Sequence, residues 1–75
     1  MESTPEAQLR AATGRRKRLV KQAEAARLAE RAAILAALED GMRQVDVVGI
    51  TGYTREHVRR LADAEREERG SVDHD

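Results

Sequence analysis

A chain of 75 residues has room for one domain, and a domain this small leaves so much surface in water that pairing with a second chain is a common remedy. Fourteen Lys and Arg balance fourteen Asp and Glu, yet the signs are sorted along the chain: residues 1–38 are net positive and residues 39–75 net negative. The lack of cysteine excludes disulfides and thiolate metal sites, no apolar run has the length of a membrane span or signal-peptide core, and the expectation is a cytoplasmic protein.

Phe and Trp are absent and Tyr53 is the single aromatic residue, so a core must come from Leu, Ile, Val and many small Ala side chains. The first signal along the chain is Thr4-Pro5-Glu6, a helix cap, a proline at the first helical position and an acid in the first turn. It predicts a short helix over residues 5–12. Gly14 is then expected to interrupt it, leaving residues 1–14 as an N-terminal arm. The cluster Arg15, Arg16, Lys17 and Arg18 follows, and it reads either as a solvated arm or as one that touches phosphates.

Leu19, Ala23 and Ala26 recur at i, i+4 and i+7, so a long first helix is expected over about residues 16–40. Its second half carries a wider stripe of Leu28, Ala32, Ile34, Leu35 and Leu38, and Gly41 provides a left-handed exit. The first half presents Leu19, Val20, Ala23 and Ala26, for which the rest of the chain offers no cover; these form the expected homodimer surface.

The segment over about residues 43–51 is ambiguous, since Val45, Val47, Val48, Ile50 and Thr51 are β-branched and alternate in part like a strand. A lone strand needs a partner, and no second strand-like run exists; a strand shared between two chains, as in a ribbon-helix-helix dimer, would need two helices after it, and only one follows. A helix is therefore expected. Gly52 can adopt positive φ to end it, and Thr54 is placed to cap a third helix over about residues 54–68. Val58, Leu61 and Ala62 share one face of that helix, whereas Glu56, Arg59, Arg60 and Asp63 point the other way. The run EREERG is charged all round, so the helix is expected to fray near Arg69 and residues 70–75 to form a disordered tail.

With Gln44 opening the second helix, Val48 four residues on where alanine is usual, Gly52 at the turn, and Val58 and Leu61 as anchors, residues 34–65 resemble the helix-turn-helix family of DNA-binding regulators. The run Thr51-Gly52-Tyr53-Thr54-Arg55-Glu56-His57-Val58-Arg59-Arg60 looks more specifically like small regulators of actinobacteria, their phages and mobile elements. The expected fold is all-α: a three-helix helix-turn-helix domain over residues 15–69 with an extended N-terminal helix and flexible termini.

Catalysis is not expected. His57 and His74 have no metal-ligand spacing, Gly49 and Gly52 lack the lysine and hydroxyl of a phosphate loop, Ser3 and Ser71 sit near the termini, and no cofactor, metal or small-molecule ligand is implied. The remaining chemistry is recognition of double-stranded DNA. Arginine on an exposed helix can hydrogen-bond guanine twice in the major groove. The resemblance makes Arg55, Glu56, Arg59, Arg60 and Asp63 the candidates for base contact. Gln44, Tyr53 and Thr54, with Arg15, Arg16, Lys17 and Arg18, are the candidates for phosphate contact. The bland alternative is a solvated face on which Arg59 and Arg60 pair with Glu56 and Asp63. The leading expectation is a small transcriptional regulator, a repressor in the simplest case, that binds an inverted repeat as a homodimer with half-sites about 34 Å apart. The alternatives are a helical protein-interaction module, antitoxin-like or adaptor, and a phage DNA-packaging or recombination accessory protein.

Overall fold

The computed structural model describes residues 4–72, which form three α-helices: α1 (Pro5–Glu39), α2 (Gln44–Thr51) and α3 (Arg55–Val72). Helix α1 begins as its cap predicts, with Thr4 Oγ1 accepting from the Ala7 N–H at 3.1 Å and the Thr4 carbonyl accepting from the Gln8 N–H at 2.9 Å. It does not stop at Gly14. One glycine in a helix interior costs about 1 kcal/mol relative to alanine, too little to break a helix that Ala, Leu and Arg propagate on both sides. The expected arm of residues 1–14 and the helix expected from residue 16 are thus, from Pro5 on, a single rod of 35 residues, about 52 Å long at 1.5 Å per residue.

The rod ends in a Schellman turn. Gly41 takes φ 99°, the Met42 N–H donates to the Ala37 carbonyl at 3.0 Å, and the Gly41 N–H donates to the Leu38 carbonyl at 3.1 Å. Despite its β-branched residues, the next segment is helical, because Val47 is buried against α1 and α3 and because its exit is well satisfied. Gly52 adopts φ 79° and donates its N–H to the Val48 carbonyl at 2.8 Å. The Thr51 hydroxyl donates to the Val47 carbonyl at 2.8 Å and accepts from the Tyr53 N–H at 3.2 Å, so one side chain serves two backbone groups of the turn. At the start of α3, Thr54 Oγ1 accepts from the His57 N–H at 3.1 Å, as the sequence suggested.

The core sits where the three helices meet. Ile34 and Leu35 of α1, Val47 of α2, and Val58 and Ala62 of α3 are buried; Leu38, Val48, Tyr53 and Leu61 close over Ile34, Val47 and Val58. Leu28 does not join them, contrary to expectation: it is 55% exposed, because α2 and α3 reach α1 only from about Glu30 onward. Helix α3 also runs past Arg69, through Gly70 to Val72, where fraying and a disordered tail were expected; residues 73–75 of that tail, with His74, lie outside the described residues. Cross-helix charge pairs support this extension. Arg31 binds Glu65 at 2.9 Å and also Glu68, and Arg69 binds Glu39 at 3.3 Å; within α3, Arg69 also meets Glu65 at 3.7 Å. Arg31 and Glu65 are largely shielded from solvent, and each has more than one partner, which is the condition under which a sheltered ion pair is held without an uncompensated charge.

Candidate functional site

Burial of Val58 and Ala62, with Leu61 packed against the core, fixes the rotation of α3 and turns the opposite side of the helix outward as the 3.6-residue period requires. Arg55, Glu56, Arg59, Arg60 and Asp63, the candidates for base contact, are all exposed. Gln44 in the first turn of α2 comes alongside the start of α3, so that Gln44, Arg55, Glu56 and Arg59 line one shallow polar depression between the two helices. Residues from two elements, eleven or more positions apart in sequence, thereby share one surface.

The charges on this surface are unequally engaged. Arg60 pairs with Glu56 at 3.2 Å, whereas Asp63 pairs with Arg66 at 3.0 Å instead of with Arg59. Among the described residues, Arg55 and Arg59 have no ion pair. The salt-bridged alternative is thus realised for Arg60 and not for Arg59. The pairs that do form are exposed and worth about 0.3–0.5 kcal/mol each, small beside the 1–3 kcal/mol, roughly, that a bidentate arginine contact can contribute.

Thr54 is exposed, with its oxygen committed to the helix cap. Tyr53 is placed differently from the phosphate-contact expectation: its hydroxyl donates to Glu30 Oε1 at 2.5 Å, and its ring meets His57 edge-on, centroids 4.6 Å apart. The hydrogen bond to Glu30, above all, raises the phenol above its usual pKa, with partial burial and the Glu30 charge adding and Arg27 opposing. The hydroxyl therefore ties the turn to α1, and His57 is a ring packed against that tie. No sequence signal marked Glu30 as the partner, because the two residues are brought together only by the crossing of α1 with the turn.

The basic cluster lies elsewhere. Lys17 is seventeen residues from Ile34, about 26 Å along α1, so Arg15, Arg16, Lys17 and Arg18 project far from the start of α3. All four are exposed and none has an ion pair among the described residues; Arg15 and Arg16 flank an apolar strip of Ala12, Leu19, Val20 and Ala23. Leu19 is 52% and Val20 48% exposed, so the expected dimer residues, Ala26 included, are uncovered by their own chain. Among the described residues no group of three or more His, Cys, Asp or Glu could hold a metal ion, and no helix is long and apolar enough to cross a membrane. Comparison with protein-family models, with curated proteins and with solved structures finds no match to this chain.

Proposed function

We propose that the protein is a sequence-specific double-stranded DNA-binding protein, a small transcriptional regulator of helix-turn-helix type that reads an inverted repeat as a homodimer. The observation that carries this reading is the exposed surface shared by Gln44, Arg55, Glu56 and Arg59, with two guanidinium groups that no carboxylate engages among the described residues, on the outward side of a helix whose inward side is locked in the core. A guanidinium in that position offers the two parallel donors that match guanine in the major groove. Glu56, Arg60 and Asp63 then stand next to the read bases, Gln44 and Thr54 at helix N-termini suit phosphates, and Arg15, Arg16, Lys17 and Arg18 add sequence-independent attraction. Leu19, Val20, Ala23 and Ala26 join the two copies. A helical module that binds an acidic protein would use the same arginines, and the experiment separates the two.

Selection from a random duplex library, followed by titration of the selected and scrambled duplexes at several salt concentrations, is the test. The expected outcome is an enriched palindromic site bound at least about 1,000-fold tighter than scrambled duplex, with log affinity falling linearly as log salt rises. Arg59→Ala should cost about 1–3 kcal/mol at the selected site and relax one base preference, and Arg60→Ala, whose guanidinium is shared with Glu56, should cost less. Absence of any enriched sequence from the folded protein would refute the reading.

A further inference from the structure

Among the described residues, the two most exposed large hydrophobic side chains are Ile50, 75% exposed on α2, and Leu9, 67% exposed near the start of α1. Ile50 borders an open apolar groove between α1 and α2, whose floor includes Ala33 and Ala37 and whose far wall includes Met42. Leu9 belongs to a series on α1 that runs Leu9, Ala12, Arg16, Leu19 and continues in the same alternating steps of three and four residues to Ala33 and Ala37. No residue of that series is buried within the chain. This is the spacing of a two-helix seam, and it joins the projecting half of α1 to the groove on one continuous face. The slow drift of a 3.5-residue period on a straight helix is absorbed when two helices wrap left-handedly.

We infer that this face is filled by α1 of a second copy running antiparallel, with Leu9 of the partner copy seated over Ala33 in the groove beside Ile50. The inference rests on the homodimer reading above and adds its direction, its register and the occupant of the groove.

Charge selects the direction. Within the seam the charged residues are Arg16 and Glu30. Parallel copies would set Arg16 against Arg16 and Glu30 against Glu30. In the antiparallel register that pairs the seam from Leu9 to Ala33, Leu19 faces Ala23, Leu9 faces Ala33, and Arg16 lies one turn from the partner's Glu30, in two symmetry-related places. The flanking charges agree. Residues 10–21 contain six cations and no carboxylate; antiparallel pairing lays them along the partner's residues 21–32, where Glu24 and Glu30 offset two of the three cations Lys21, Arg27 and Arg31, while parallel pairing lays two wholly cationic stretches side by side. Size agrees as well, since each leucine meets an alanine. The register also sets the distance between the two recognition surfaces. The dyad falls at residue 21, so the two copies of Ile34, where α3 packs, lie about 39 Å apart along the helix pair, close to one turn of DNA at roughly 34–36 Å.

The chain has no cysteine, so cross-linking is clean. Leu9→Cys and Ala33→Cys variants are prepared separately, checked for helicity, and oxidised alone and as an equimolar mixture, without DNA. Antiparallel pairing yields covalent dimers predominantly in the mixture and little from either variant alone. Equal yields from each variant alone overturn the direction and leave the homodimer standing. Sedimentation of the unsubstituted chain as a monomer overturns the homodimer and this inference together. Neither readout depends on DNA, so failure of the DNA reading is seen separately, in the duplex titration.

Discussion

The two halves of α1 are made of the same residue types and belong to one unbroken helix, yet only one of them is held by the rest of the chain. From Glu30 onward the rod is gripped by the Tyr53 hydroxyl, by the core around Ile34 and Leu35, and by the Arg31 and Glu39 pairs to α3. Residues 5–29 have no buried side chain at all. There the helix depends on its cap, on the Glu6–Arg10 pair at 3.0 Å and on the propensities of Ala, Leu and Arg. Continuous secondary structure therefore says little about where stability resides; side chains that leave water decide it. Most helical stability in proteins comes from packing of an apolar face, which this half lacks within its own chain, so its apolar strip is the part of the molecule that gains most from a second surface.

The contrast can be broken first at leucine. Leu35→Ala removes a side chain with 0% exposure and should cost about 2–5 kcal/mol, enough in so small a domain to lower the unfolding midpoint sharply in urea. Leu28→Ala, at 55% exposure on the ungripped half, should change stability by no more than about 0.5 kcal/mol. Equal losses at the two positions would mean that Leu28 has a cover that the fold does not show.

Glycine sharpens the same contrast with opposite signs. Gly52→Ala puts a Cβ into a backbone at φ 79° and should destabilise by about 1–2 kcal/mol, although no atom within 4 Å obstructs it. Gly14→Ala, in the middle of the ungripped rod, should stabilise by about 1 kcal/mol and raise helicity by circular dichroism. The new methyl would meet only the far end of Arg18, at 3.5 Å. Loss of helicity on Gly14→Ala would show that the rod needs a residue without a Cβ at that position.

The smallest effect concerns the tie that holds the turn to the start of the gripped half. Tyr53 donates to Glu30, and its phenol is raised above 10.0 in the fold. A raised pKa means that this contribution is complete below about pH 10 and is lost as pH climbs through the folded value, when a phenolate would face the Glu30 carboxylate. Thermal melts of the native chain and of Tyr53→Phe should differ modestly at neutral pH and converge under alkaline conditions. A constant difference up to high pH would rule out that hydrogen bond as its source.

Punctuation was the most legible level of this protein. Thr4-Pro5, Gly41, Gly52 and Thr54 act on backbone groups within a few residues of themselves, so their roles do not wait for a tertiary structure. The inward side of α3 was equally readable, since a 3.6-residue period assigns Val58, Leu61 and Ala62 to one face whatever they pack against. Gly14 misled because a local breaker was weighed without the propagating residues on either side.

Tertiary structure alone decided which of several apolar residues on α1 are buried, because Leu28 and Leu35 carry the same periodic signal and differ only in whether α3 crosses above them. It decided that α3 does not fray near Arg69, since Glu65, Glu68 and Arg69 find Arg31 and Glu39 thirty or more residues away. It also decided the candidate site. The sequence places five charged or polar side chains on an outer face, but only the packing of α2 on α3 brings Gln44 beside Arg55 and Arg59, and only the choice of Arg66 by Asp63 leaves Arg59 without an ion pair among the described residues. Local backbone chemistry is set by neighbours in the chain, whereas burial and charge pairing are set by neighbours in space, and those exist once the helices have crossed.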